Sequence, residues 1–129
     1  MRIEHVAWLV DDPNAVADWY CENLGMKVVR RGGPPRHTTF IADSAGKTMI
    51  EMYTRDDLDT PDYASMAPSL LHVAFFAEDV EGTRAKLLAA GATSVDDVYL
   101  NDVGDEMTML RDPWGLALQV LKRKEPMHE

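Results

Sequence analysis

Four polar side chains lie in apolar stretches where a strand would bury one face, and together they could hold a metal ion. His5 sits in Ile3-Glu4-His5-Val6-Ala7-Trp8-Leu9-Val10, and His72 in Leu70-Leu71-His72-Val73-Ala74-Phe75-Phe76. Glu51 is flanked by Ile50 and Met52, and Gln119 by Leu118 and Val120. Alternate residues of a strand share a face. His5 therefore goes with Ala7 and Leu9, while Val6, Trp8 and Val10 face the other way, toward a helix. His72 goes with Ala74 and Phe76, Glu51 with Met49 and Tyr53, and Gln119 with Ala117 and Leu121. A carboxylate in such surroundings is costly unless it is paired, protonated or metal-bound. Imidazole, carboxylate and amide oxygen suit a divalent ion of the zinc, nickel, cobalt, manganese or iron type. With both histidines neutral the set carries one negative charge, so the ion would keep a net positive charge and polarise a bound oxygen.

A single strand histidine is ordinarily a hydrogen-bonded core or edge residue. Glu51 could equally pair with Lys47 or Arg55, and Gln119 could be a satisfied amide. What favours the metal is repetition. The run His-Val-Ala-aromatic-apolar-apolar-acid-Asp occurs at His5–Asp12 and again at His72–Asp79, offset by 67 residues in a chain of 129. Such repetition makes two tandem halves. His5 and His72 are equivalent positions, and so are Glu51 and Gln119. His37 has no counterpart and His128 falls in the polar tail, so neither joins the set.

The elements that must carry these residues follow the same order twice. Residues 2–10 read as a strand. Asp12 then caps a helix with Pro13 in its first turn, Val16, Trp19, Tyr20 and Leu24 recur at helical spacing, and Gly25 stops it. Strands are expected over 26–31, 37–43 and 47–53, separated by the Gly32-Gly33-Pro34-Pro35 loop and the Ser44-Ala45-Gly46 turn. Residues 55–69 are acidic, broken by prolines, and read as a linker with room for a short helix. In the second half a strand is expected over 70–77, a helix from the cap Asp79 to the stop at Gly91, a strand within 92–99, and strands over 107–111 and 116–122. The expectation is an α+β domain of two βαβββ modules, 1–54 and 70–123, with a tail at 124–129.

Composition narrows the partners. Thirteen basic against 22 acidic residues give a net charge of −9, which disfavours nucleic acid and anionic membranes as partners. No apolar run approaches the roughly 18 residues of a membrane span. The single cysteine, Cys21, cannot form an internal disulfide, which suits a reducing cytoplasm. No phosphate-cradling glycine loop or Ser/His/Asp arrangement is present.

With these residues in this order the chain resembles the vicinal oxygen chelate superfamily of glyoxalase I, bleomycin and fosfomycin resistance proteins, methylmalonyl-CoA epimerase and extradiol dioxygenases. The likeness covers nearly the whole chain: His5, the helix with Asp18-Trp19-Tyr20 leading to Leu24-Gly25-Met26, Glu51, His72, and Asp112-Pro113-Trp114-Gly115 ahead of Gln119. The resemblance implies paired modules whose curved sheets form a metal cup, a homodimer, and a substrate chelated through neighbouring oxygens. Glyoxalase I fits best in pattern, with three departures. Leu9 stands where bacterial glyoxalase I has arginine, Arg55 where it has asparagine, and Gln119 where it has a glutamate that moves the proton. An amide cannot act as that base, which points away from lactoylglutathione lyase activity.

The expected function is therefore a divalent-metal-dependent, glyoxalase-like lyase or isomerase acting on a small oxygen-chelating substrate. His5, Glu51, His72 and Gln119 are the expected ligands, and Glu51 is the expected proton carrier. Ala7, Leu9, Tyr53, Phe76 and Leu121 would wall an apolar pocket, and Arg55 or Arg36 would hold a substrate carboxylate. Two alternatives stand beside it. His5, His72 and Glu51 could ligate non-haem iron in a ring-cleaving dioxygenase, although that pattern has its carboxylate at the position of Gln119. A metal-free, resistance-type binder of a cationic drug would suit the charge of −9 but has no need of the filled ligand positions.

Overall fold

A computed structural model describes residues 1–127. His128 and Glu129, the end of the expected tail, lie outside the described residues. The fold is mixed α+β, with two sheets and two helices among the described residues. The chain divides into two compact units, Met1–Pro61 and Asp62–Glu129.

The first unit is built on β1 (His5–Leu9), α1 (Pro13–Leu24), β2 (Lys27–Arg31), β3 (Thr39–Ala42) and β4 (Met49–Tyr53), with sheet order β1-β4-β3-β2. The β1–β4 pairing is parallel and the other two are antiparallel. The Asp12 carboxylate caps α1 by accepting from the Ala15 amide at 3.1 Å, and Gly25 ends it in the left-handed region. Val16, Ala17, Trp19 and Tyr20 of α1 are buried with Trp8, Ile41, Ile50 and Met52 of the sheet. The Trp8 ring meets Tyr20 at 5.5 Å, so the helix covers the sheet face opposite His5. Trp8 and Val10 take the buried positions expected of them. Val6 differs: it is half exposed at the start of β1.

The second unit opens on a single 3-10 turn (Tyr63–Ser65), then β5 (Val73–Phe76), α2 (Val80–Ala89), β6 (Thr93–Ser94), β7 (Tyr99–Leu100), β8 (Glu106–Arg111) and β9 (Ala117–Lys122). Its sheet runs β5-β9-β8-β6, with β7 also paired to β8. The Asp79 carboxylate caps α2 through the Gly82 amide at 2.9 Å. Val80 and Leu87 of α2 are buried with Leu110, Leu118 and Val120. Arg111 ties the entering segment down, its guanidinium donating to the Tyr63, Met66 and Gly115 carbonyls at 2.8–3.0 Å.

Two expectations are corrected. The strand expected over 70–77 spans only Val73–Phe76, because Leu70 closes a turn onto the Ala67 carbonyl; His72 thus precedes the strand. The strand expected within 92–99 is two short pieces. Between them the Asp96 carboxylate accepts from the Met109 amide at 2.7 Å, taking a donor that an unbroken ladder would use.

Candidate metal centre

In the first unit, His5 and Glu51 come together on the sheet face not covered by α1. Parallel register sets Ala7 opposite Glu51, so His5 lies two residues before Glu51's partner. His5 Nε2 stands 3.2 Å from Glu51 Oε2. The other ring nitrogen, Nδ1, is hydrogen-bonded to the Glu4 carboxylate. The His5 ring also meets Phe40 edge-on at 5.6 Å. Hydrogen bonding to Glu4 raises the His5 pKa above its ordinary value; Glu51 adds to this, and partial desolvation opposes it.

The second unit repeats the arrangement with a different donor. Ala74 lies opposite Gln119, two residues after His72. His72 Nδ1 is 2.8 Å from the Pro68 carbonyl oxygen. A carbonyl only accepts, so Nδ1 carries a proton, and in the neutral form of the ring Nε2 keeps its lone pair. Glu4 does the same for the neutral form of His5. In each unit one oxygen acceptor thus fixes the tautomer that a metal ligand needs.

These donors fit a first-row divalent ion. Bonds of about 2.1 Å place two ligand atoms roughly 3.0 to 3.4 Å apart, between right-angled and tetrahedral geometry. The His5–Glu51 separation lies in that range. Among the described residues, no three His, Cys, Asp or Glu side chains group closely enough to hold an ion.

The residues expected to contact substrate fall at matching places too. Leu9 pairs with Tyr53 at the end of β1–β4, and Phe76 with Leu121 at the end of β5–β9. Leu9 and Tyr53 are half-buried, Leu121 is buried, and Phe76 is 65% exposed. Arg55 lies just beyond β4, where its Nε donates to Asp57 at 2.8 Å and a second nitrogen pairs with the other carboxylate oxygen. It lines an open depression of about 200 Å³ with Pro35, Arg36, Thr54, Asp56 and Asp57. Its guanidinium is thus already engaged by a carboxylate of its own loop.

Sequence reasoning did not single out Glu4, Pro68 or Phe40. Glu4 could have been found, since a carboxylate beside a candidate ligand histidine is a usual orienting partner. Pro68 acts through its backbone and leaves no side-chain signal.

Residues 2–120 match the family model of the glyoxalase/bleomycin resistance protein/dioxygenase superfamily. The chain belongs to that superfamily, whose members typically bind divalent metals and small molecules and often form dimers. Among solved structures it is similar to a glyoxalase family protein from Enterococcus faecalis, at 28% identity and a TM-score of 0.72, covering 94% of this chain and 97% of that one. It is also similar to SMU.1112c, at 27% identity and a TM-score of 0.73, covering 95% and 98% of the two chains. A glyoxalase I variant from Zea mays shares the fold at 21% identity and a TM-score of 0.76, over 96% of this chain and 46% of that one. A search of the curated proteins finds no significant match. No helix among the described residues is long and apolar enough to cross a membrane.

Proposed function

We propose that this protein is a divalent-metal-dependent, glyoxalase-like lyase or isomerase, with His5, Glu51, His72 and Gln119 as the ligand set. The observation that carries this reading is the anchoring of both histidines through Nδ1, with the Glu51 carboxylate 3.2 Å from His5 Nε2. The reading requires the His5–Glu51 pair to act with a His72–Gln119 pair, from the same chain or from a second copy. A metal held there supplies Lewis acidity toward a carbonyl or enediolate oxygen.

The remaining chemistry belongs to the chain. Glu51 is the one carboxylate in the set, so it accepts a proton from one carbon and returns it to the neighbour. Its side chain is about one-fifth exposed, which leaves it reachable. Leu9, Tyr53, Phe76 and Leu121 offer apolar surface to the rest of a small oxygen-chelating substrate. Arg55 can hold a substrate carboxylate only by giving up Asp57.

The test is elemental analysis of untagged protein, wild type against His72→Ala and Glu51→Ala. Near-stoichiometric divalent metal in the wild type, lost in both variants, is expected; its identity then separates isomerase metals such as nickel or zinc from oxygenase iron. No uptake after soaking with divalent ions overturns the proposal and leaves a metal-free small-molecule binder.

A further inference from the structure

The face that carries Glu51 also carries a cation that strand alternation alone would not put there. Across the first unit's sheet, register sets Ala7 opposite Glu51, Glu51 opposite Phe40, and Phe40 opposite Arg30. The last pairing depends on a bulge. Val28 pairs with Ile41 and Arg30 with Phe40, so Val29 is an extra residue. Without it, the regular ladder would set Val29 opposite Phe40 and Arg30 opposite Thr39. Bulges re-aim side chains in this way and are over-represented beside active sites.

The re-aimed guanidinium is held in a defined place. Its central carbon lies 5.0 Å from the Phe40 ring centroid, and the same ring packs edge-on against His5. A guanidinium over a ring still has in-plane N–H donors that can make a two-pronged bond to an anion. The neighbouring Arg31 is paired with Asp18 at 3.0 Å. No carboxylate of the described residues pairs with Arg30, in a chain with 22 acidic residues. Two strand spacings of about 4.8 Å put its backbone roughly 10 Å from that of Glu51, and the side chain leans back over Phe40 to shorten that gap.

We propose that Arg30 recognises an anionic group on the substrate, which makes the substrate a compound with two neighbouring oxygens and a distal carboxylate a few bonds away. This rests on the proposed chemistry at Glu51 for the identity of the reacting end, while the anion contact stands on Arg30 itself. The chain's negative charge does not oppose it strongly, since charges beyond a Debye length of about 10 Å are largely screened at 0.1 M salt.

The test compares 2-oxoglutarate with its distal (C5) methyl ester, which keeps the 2-oxo acid and differs by one charge. The readout is the Arg30 Nε–Hε resonance, assigned by its absence in Arg30→Gln. That resonance is expected to move with 2-oxoglutarate and not with the ester, and the diacid should bind roughly tenfold more tightly, as expected for a charge-assisted pair. In Arg30→Gln the two ligands should bind equally, with metal content unchanged. A resonance that stays fixed, or a preference that survives in Arg30→Gln, overturns the inference. Metal content, measured on the same samples, separately decides the reading at Glu51: a responding Arg30 in protein that takes up no metal sinks that reading and keeps the anion contact.

Discussion

Opposite Ala7 the first unit places the carboxylate of Glu51; opposite Ala74 the second places the amide of Gln119. The histidine two residues earlier is anchored through Nδ1 in both, once by a carboxylate and once by a carbonyl. One strand further on, Glu51 faces Phe40 with the Arg30 guanidinium over its ring, whereas Gln119 faces Met109. The backbone device is thus duplicated while its chemistry has diverged. A carboxylate can bind a metal and move a proton; an amide can only bind. On the proposed reading, duplication supplies two equivalent positions for donors, and acid–base work falls to the half that carries Glu51.

The contrast can be broken most severely at the donors. Glu51→Ala is expected to weaken metal binding by more than about 100-fold, and Gln119→Ala by no more than about tenfold, because a charged oxygen is lost in the first and a neutral one in the second. Competition with a chromophoric chelator measures both; equal losses would mean that the halves are equivalent after all.

The turns entering the last strand of each half offer a second comparison. Gly46 donates to the Asp43 carbonyl and Gly115 to the Asp112 carbonyl, both at 3.0 Å, and both glycines have positive φ (68° and 95°), where a side chain would be strained. The Asp112 carboxylate is buried and accepts from the Trp114 and Leu116 amides at 2.9 and 3.0 Å. Asp43 Oδ1 is buried with no partner among the described residues. Asp112→Ala should cost about 2–4 kcal/mol, since it strands two backbone donors, and Asp43→Ala less than about 1 kcal/mol. Urea denaturation of both variants decides it, and a reversed order would contradict the hydrogen-bond assignment.

Glu4→Gln tests the anchoring. It keeps an acceptor but removes the charge, so metal affinity should fall by about tenfold, the lower end of losses seen for partners behind a ligand histidine. The smallest effect lies just before β8, at Asp105. Arg123, the Lys124 amide and Asn101 hold the Asp105 carboxyl below its usual range. A depressed carboxyl stabilises the fold above its unfolded value, near 3.9, and loses that contribution as pH falls through the folded value. Wild type should therefore exceed Asp105→Asn in melting temperature at neutral pH, with the gap closing below about pH 4; a gap independent of pH would show that charge is not involved.

Much of this was legible in the sequence because it depends on spacing. The duplicated run around His5 and His72, the caps Asp12 and Asp79, and the stop at Gly25 each rest on local residue types. Alternation placed His5 and Glu51 on one face, opposite Trp8. What could not be read depends on bonds between segments distant along the chain. The strand within 92–99 is interrupted because the Asp96 side chain captures a donor from Met109, 13 residues on. The Val29 bulge reverses alternation in β2, which hid Arg30 from a reading of faces. His72 lies outside its strand because the turn at Ala67–Leu70 sets where pairing begins.

The bulge also bears on how this sheet edge resists strand addition. β2 is an outer strand of its sheet, and Val28 and Val29 on it are 41% and 58% exposed. A flat outer strand with exposed valines is a template for unwanted strand addition, and natural sheets blunt such edges with bulges and positive charges. Here Val29 breaks the regular row of backbone donors and acceptors, and Lys27, Arg30 and Arg31 surround it with positive charge. One inserted residue thereby both turns a cation toward the face that carries Glu51 and makes the strand a poor partner for a second chain's edge.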